Sequence, residues 1–216
     1  MEQIKNLLGK VMQTESSSQT ARYSKQSRVR FNLGNEKEED VLSYMFKCVE
    51  DDLRRNPAWD GKVRNEDKIV RLVHWLFYGS KQSLLMLGGT GSGKTVLAKA
   101  IGRVVAVKNL CPYFYDMRRL LDDTREGGVL PEWVYDTKRM LILDDIGTEP
   151  NEIQIYGNRY SLINEIIHAR YNRFAPTIFT SNFGRDFLTQ KYGDRAMSRI
   201  SEMCDIMIVE GGDMRK

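Results

Sequence analysis

The sequence predicts an α/β fold in which a parallel sheet is covered by helices on both faces. Three observations predict it. Short apolar runs alternate with amphipathic stretches from Ser83 to Val209, as strands alternate with crossover helices. A glycine-rich octapeptide, Gly88-Gly89-Thr90-Gly91-Ser92-Gly93-Lys94-Thr95, separates the apolar run at 84–87 from a helical pattern starting at Thr95. A further apolar run, Met140-Leu141-Ile142-Leu143, ends in the paired carboxylates Asp144 and Asp145.

Composition bounds the rest. At 216 residues and 25.0 kDa the chain is one compact domain with some remainder. A core of that size buries about 70% of the unfolded surface, so it requires neither disulfides nor a structural metal. Cys48, Cys111 and Cys204 are odd in number, far apart and free of CxxC spacing, which points to small buried hydrophobes in a reducing compartment. Hydrophobic content of 41%, charged content of 29% and a mean hydropathy of −0.47 exclude disordered and fibrous classes. No apolar run approaches the roughly 18 residues that span a bilayer, and MEQIKNLLGKVMQTESSSQ has an early acid and no continuous apolar core. A cytoplasmic protein without a signal peptide or membrane contact is expected. The net charge of +4 permits nucleic-acid contact without demonstrating it.

Taken in order, Ile4, Leu7, Leu8, Val11 and Met12 form one stripe of a short amphipathic helix, weakened by Gly9. A Ser, Gln and Thr-rich arm follows over 14–35, carrying Arg22, Lys25, Arg28 and Arg30 interleaved with Tyr23 and Phe31. Helices are expected over 36–55 and 66–78, joined by a loop at Asn56-Pro57 and Asp60-Gly61, with Asn65 as the second helix's N-cap. Beyond them the expected strands are 83–87, 113–115, 140–143, 177–180 and 206–209, and the expected helices 95–107 and 159–173. His74 and His168 lie in helices without metal-spaced partners and are expected to be structural or surface residues.

The octapeptide fits GxxxxGK[ST] in a strand-loop-helix setting, the P-loop pattern. Its glycines let the loop curl so that backbone N–H groups face phosphates, while the next helix presents its positive end. Lys94 would reach the β and γ phosphates of ATP, and Thr95 would bind Mg²⁺ through its hydroxyl. At the tip of the 140–143 run, Asp144 can hold the metal and Asp145 can polarise an attacking water. Asp145 is one methylene shorter than the Glu often used as this base, which predicts slow or partner-dependent hydrolysis. Thr177-Ile178-Phe179-Thr180-Ser181-Asn182 is another apolar strand with a polar tip. If it lies between the other two strands, Asn182 can meet the water or the γ phosphate; by spacing alone it is more often a turn residue.

GGTGSGKT, ILDDIGTE, YGNRYSLINEIIHARYNRFAPTIFTSN and YGDRAMSRISE, in that order, resemble the DnaC/DnaI and IstB group of AAA+ ATPases, bacterial helicase loaders and transposition helpers. The likeness runs from about Ser83 to Lys216, and DDIG is closer to the DnaI-like form than DEIG. It implies an ASCE-type, five-stranded parallel sheet of order 5-1-4-3-2 in a three-layer α/β/α sandwich, with a helical N-terminal extension and no full C-terminal lid. It also implies ATP at the strand tips and Asn182 as sensor 1. Arg199 matches the family's arginine finger, which implies an ATP-dependent homo-oligomer, whereas Arg195 reads as a surface residue. Arg215 resembles the sensor 2 arginine of the loader branch.

The resemblance places single-stranded DNA against basic residues after the second strand, where Arg118, Arg119 and Arg125 are the candidates. Asp122 and Asp123 beside them also fit an ordinary solvated helix face. The basic arm is a second nucleic-acid candidate or a charged linker, and the N-terminal helix either docks a partner or packs on its own domain. Three segments are expected: 1–35, helix and basic arm; 36–65, a helical extension; 66–216, the ATPase domain. The first functional expectation is an ATPase that loads or remodels a replicative helicase on single-stranded DNA. An IstB-like helper of a transposase shares the same ATP site. A nucleotide-gated binding module with little hydrolysis is the alternative of another class.

Overall fold

The computed structural model describes Leu33 and residues 36–107, 111–155 and 157–210. The amphipathic stripe at residues 4–12, the basic residues Arg22, Lys25, Arg28 and Arg30, and Arg215 lie outside the described residues.

Helices α1 (Glu38–Leu53) and α2 (Glu66–Tyr78) precede strand β1 (Ser83–Leu87). The chain continues through α3 (Lys94–Ala106), β2 (Tyr113–Asp116), α4 (Met117–Gly127), a 3-10 turn (Glu132–Tyr135) and β3 (Leu141–Asp144). A hairpin of β4 (Ile153–Ile155) and β5 (Asn158–Tyr160) leads to α5 (Leu162–Asn172), β6 (Thr177–Ser181), α6 (Arg185–Tyr192), α7 (Asp194–Met203) and β7 (Cys204–Ile208).

Five strands form one sheet, β2-β3-β6-β1-β7, with every pairing parallel. Numbered along the chain without the hairpin and read from β7, the order is 5-1-4-3-2, as the resemblance implies. Because side chains alternate along a strand, each strand feeds two cores. Leu84, Met86, Ile142 and Ile178 pack with Leu42, Met45, Ile69, Val73, Leu97 and Ile101 of α1, α2 and α3. Leu85, Leu87, Leu141, Leu143 and Phe179 pack with Leu120, Ile163, Ile166, Ile167 and Ile200 of α4, α5 and α7. Burial on both faces explains why these strands read as continuous apolar runs. The outer edge strand β2 is covered by Trp133, whose ring stacks at 4.1 Å on Tyr115 and 5.6 Å on Tyr113.

Three expectations need correction. Asn65 stands at the start of α2, but its backbone is left-handed (φ 60°) and its side chain makes no cap. Its Nδ2 instead donates to the Ser92 carbonyl at 3.2 Å, tying α2 to the P-loop. Arg159 belongs to β5 rather than to a helix, since the Gly157 turn (φ 83°) folds the preceding segment into a hairpin before α5 begins. Cys111 is exposed, whereas Cys48 and Cys204 are buried as expected. Of the histidines, His74 lies 3.5 Å from Glu38 and joins α2 to α1, and His168 contacts Asn172 on α5.

A buried arginine pins the edge of the sheet where β3 and β6 begin. Arg170 of α5 has no exposed surface, yet its five hydrogen bonds all end on neutral oxygens. They reach Thr177 Oγ1 (3.0 Å) and the carbonyls of Val134 (3.2 Å), Asp136 (2.6 Å), Arg139 (3.0 Å) and Pro176 (2.6 Å). Five donors in a fixed fork match five acceptors around it, which no lysine could reproduce. Burial pulls the guanidinium down to about 10, still a cation at neutral pH. Arg170→Met removes the charge but orphans the carbonyls. We expect it to cost on the order of 3 to 5 kcal/mol in urea unfolding, with Arg170→Lys recovering only part.

Candidate functional site

The site lies where β1, β3 and β6 end. After Leu87 the P-loop curls through Gly91 (φ 83°) and Gly93 (φ 93°), and α3 starts at Lys94 itself. Curling returns Lys94, a buried cation, over its own loop. Its Nζ donates to the Gly88 and Gly89 carbonyls, each at 2.8 Å, and lies 3.3 Å from Ser92 Oγ. The nucleotide-binding candidates Gly88, Gly89, Thr90, Gly91, Ser92, Gly93, Lys94 and Thr95 thus form one continuous cradle ending at a helix N-terminus, where the helix dipole and free N–H groups favour a phosphate.

Across from it β3 delivers two carboxylates with different surroundings. Asp144, buried, accepts from Thr95 Oγ1 at 2.9 Å (Oδ2) and from Thr180 Oγ1 at 2.6 Å (Oδ1). A hydroxyl and a carboxylate meeting beside a phosphate cradle are the oxygen donors that suit Mg²⁺. Asp145 is half-buried with a left-handed backbone (φ 64°), a conformation that Asp tolerates better than most residues. Its N–H is held by Thr180 Oγ1 at 2.9 Å, and the next amide, Ile146 N, donates to Thr180 O at 2.8 Å. The turn then passes Gly147 (φ 101°), where a Cβ would meet the Phe183 ring at 2.5 Å, so the glycine of DDIG is required twice over.

Asn182, one residue beyond β6, bridges the two halves. Its Oδ1 accepts from Lys94 Nζ at 2.8 Å and its Nδ2 donates to Asp145 Oδ1. β6 lies between β1 and β3, the placement on which the expectation for Asn182 depended. Burial, then the neighbouring Asp144 charge, holds the Asp145 carboxyl above the ordinary carboxylate value; Lys94 opposes the shift and Glu149 adds to it.

Two side chains at this site were not singled out in the sequence. Thr180 serves the Asp144 carboxylate and the Asp145 backbone amide through one hydroxyl, and its only signal was a polar residue inside an apolar strand. Glu149 is buried below the turn, accepting from Gly147 N at 2.9 Å and Tyr192 Oη at 2.7 Å, with Lys191 Nζ 3.8 Å away. Burial, followed by the Glu149 charge, pushes the Tyr192 hydroxyl upward, so it stays a donor.

The remaining candidates lie elsewhere. Arg199, half-buried on α7, places its guanidinium 5.6 Å from the Tyr171 ring centre and is not among the side chains bonded at the P-loop. Arg195, one turn earlier, is exposed. Arg118, Arg119 and Arg125 are exposed on α4, whose N-cap Asp116 accepts from Arg119 N at 2.8 Å. Among the described residues there is no cluster of His, Cys, Asp and Glu that could hold a metal ion by itself, and no helix is long and apolar enough to cross a membrane.

A raised folded-state pKa means that the fold binds the Asp145 proton more tightly than the unfolded chain does. The ionised carboxylate therefore costs stability as pH rises through that folded value. Asp145→Asn keeps an acceptor for Asn182 and should raise the melting temperature near neutral pH, with the gap closing in mild acid. Thr180→Val, nearly isosteric, should instead destabilise by about 1 to 3 kcal/mol because it orphans the Asp145 N–H and removes one hydrogen bond to Asp144.

Comparison with known proteins agrees with this site. A chain of 25% identity, the ATP-binding protein described for insertion sequence IS232 of Bacillus thuringiensis subsp. berliner, aligns over 161 residues, 70% of this chain and 62% of that protein. The corresponding protein of insertion sequence IS5376 of Geobacillus stearothermophilus is 30% identical over 123 residues, 55% of this chain and 47% of that one. This chain thus matches between about half and less than two thirds of the length of these relatives. The crystal structure of the DnaC helicase loader superposes with a TM-score of 0.54 at 25% identity, covering 69% of this chain and 92% of that one. The DnaI structure superposes with the same score, 0.54, at 22% identity, covering 76% and 92%, a likeness of fold. The family model of the IstB-like ATP binding proteins matches residues 4–216, including the N-terminal part for which the motifs showed no likeness. With a P-loop AAA+ fold, its strand order and that match in agreement, this chain belongs to the IstB-like ATP-binding protein family.

Proposed function

We propose that this chain hydrolyses ATP with Mg²⁺, assembles into an oligomer in doing so, and uses the cycle to deliver a partner enzyme to DNA. The observation that carries the reading is the Asn182 bridge between Lys94 and Asp145, which links the phosphate-binding cation to the candidate base through one side chain. Bound Mg-ATP would supply the phosphoanhydride and the charge neutralisation; everything else is done by side chains of this chain. Lys94 binds the terminal phosphates, and Thr95 with Asp144 holds the metal. Asp145 takes the proton of the attacking water, aided by a carboxyl whose affinity for a proton is already raised. Asn182 orients that water and senses whether the terminal phosphate is in place. Arg199, carried on α7 outside its own chain's phosphate cradle, is suited to stabilise the transition state in a neighbouring copy.

The insertion-sequence relatives and the family match support a transposase as the partner delivered. Structural likeness to the DnaC helicase loader supports a replicative helicase on single-stranded DNA, the same cycle with different cargo. Exposed Arg118, Arg119 and Arg125 on α4 are available to DNA phosphates in either case.

Lys94→Ala should abolish ATP binding, measured with a fluorescent ATP analogue. Asp145→Asn should bind ATP normally but lose about 10² to 10⁴ in turnover. Arg199→Ala should lose on the order of 10³ or more in turnover, while the monomer keeps its ATP affinity; a normal rate would remove the trans role. Affinity capture from native cells, comparing ATP with a slowly hydrolysed analogue, should retain a transposase or a replicative helicase on the analogue alone. ATP bound without turnover, even with DNA and the captured partner present, would reduce the protein to a nucleotide-gated binding module.

A further inference from the structure

The edge of the sheet opposite the nucleotide site carries a surface that ATP chemistry does not use. Strands β1, β3 and β6 begin there, about 15 Å along the strand direction from the tips that bear the site. Phe174, in the turn before β6, is 73% exposed and its backbone stands at φ 53°. A left-handed backbone is costly for a bulky side chain, and an exposed phenyl ring forfeits the gain of burial. Packing accounts for neither cost. The turn is nevertheless held in place: Phe174 N donates to Tyr171 O at 3.1 Å, and Gln82 Nε2 donates to Phe174 O at 2.9 Å.

Cations lie on the segments next to this turn. Arg173 lies 5.0 Å from the centre of the Tyr135 ring, which is itself 42% exposed. Arg139 lies 5.0 Å from the centre of Tyr113, and Lys138 beside it is exposed. The acid of this surface is Asp136, whose Oδ1 accepts from Lys138 N at 2.8 Å and whose Oδ2 lies 3.8 Å from Arg139 Nε. Directly beneath, Arg170 contributes a buried charge whose hydrogen bonds all end on neutral oxygens, with the Asp136 carboxylate acting on it through space. Those bonds also grip the carbonyls of Val134, Asp136 and Arg139, and Ala175 N returns a bond to Arg170 O at 3.0 Å. One buried guanidinium therefore makes the Tyr135–Arg139 segment and the Phe174 turn a single rigid, positive platform.

We propose that this platform binds single-stranded nucleic acid, with Phe174 and Tyr135 stacking on bases and Lys138, Arg139 and Arg173 meeting phosphates. Accessible ring faces interleaved with cations suit a strand whose bases are unpaired. The centre of a protein interface is instead depleted of charge. The contact lies on the other edge of the sheet from the nucleotide and requires none. It shares with the proposed function only the choice of polymer.

The test is fluorescence anisotropy of a labelled oligothymidine with the nucleotide-free full-length chain. Phe174→Gly suits the left-handed turn, so its melting temperature should hold or rise while affinity falls about 5- to 150-fold, the range for losing one stacked base. Arg139→Gln and Arg173→Gln should each lower the slope of log affinity against log salt by about 0.7. Arg54→Gln, at an exposed cation that follows α1, should bind the oligonucleotide as the wild type does, which separates this contact from a general effect of charge. Wild-type affinity in Phe174→Gly, an unchanged salt slope in both arginine variants, or a wild-type chain that does not bind oligothymidine would each overturn the proposal. A change of sedimentation in Phe174→Gly with DNA affinity retained would overturn it too, by assigning the surface to contacts between protein copies.

Discussion

β6 must lie between β1 and β3, and the nucleotide site depends on that one constraint. Parallel pairing on both sides sets Phe179 beside Leu85 and Leu143 together, so the chain leaves β6 between the P-loop and the paired carboxylates. Asn182 is then the first side chain able to touch both Lys94 and Asp145. Thr180, two residues earlier and on the same side of the strand, reaches Asp144 and the Asp145 amide. A strand in any other slot would leave a buried lysine and two adjacent carboxylates without the groups that orient them, and unpaired buried charge is the expensive case.

Polar groups are buried at both edges of the same sheet, and they do different work. At the C-terminal edge one cation, Lys94, faces two carboxylates, Asp144 and Asp145, with hydroxyl and amide groups between them. Such a site can accept phosphate and metal because its own charges are already separated and held. At the N-terminal edge Arg170 is hydrogen-bonded entirely to neutral oxygens, and the Asp136 carboxylate offsets part of its charge through space. The first arrangement suits chemistry; the second stiffens the entrances of β3 and β6 and sets a potential.

Glu149 and Lys191 connect the site to the rest of the catalytic face. The carboxylate below the DDIG turn is clasped by Tyr192, while Lys191 donates to Glu149 O at 2.6 Å and Asn151 Oδ1 at 3.0 Å. The turn bearing Asp145, the entrance to the β4–β5 hairpin and the end of α6 are therefore one mechanical unit.

Much of this was legible in the residues. Apolar runs buried on both faces, the GxxxxGK[ST] loop and the strand ending in two aspartates are local patterns, and local patterns encode strand positions, loop curvature and the placement of Lys94, Thr95, Asp144 and Asp145. Motif order was enough to imply the 5-1-4-3-2 sheet. The β4–β5 hairpin, the redirected side chain of Asn65, and the roles of Thr180 and Arg170 were not legible, because each depends on a partner 27 to 36 residues away or on a turn that overrides helical periodicity. By itself the sequence determined which residues form the P-loop and the paired carboxylates, since a loop and a helix end are built from neighbours. Only the tertiary structure decided which distant hydroxyl, amide or carbonyl completes each polar group, because in a buried site that choice is made by which strands lie side by side.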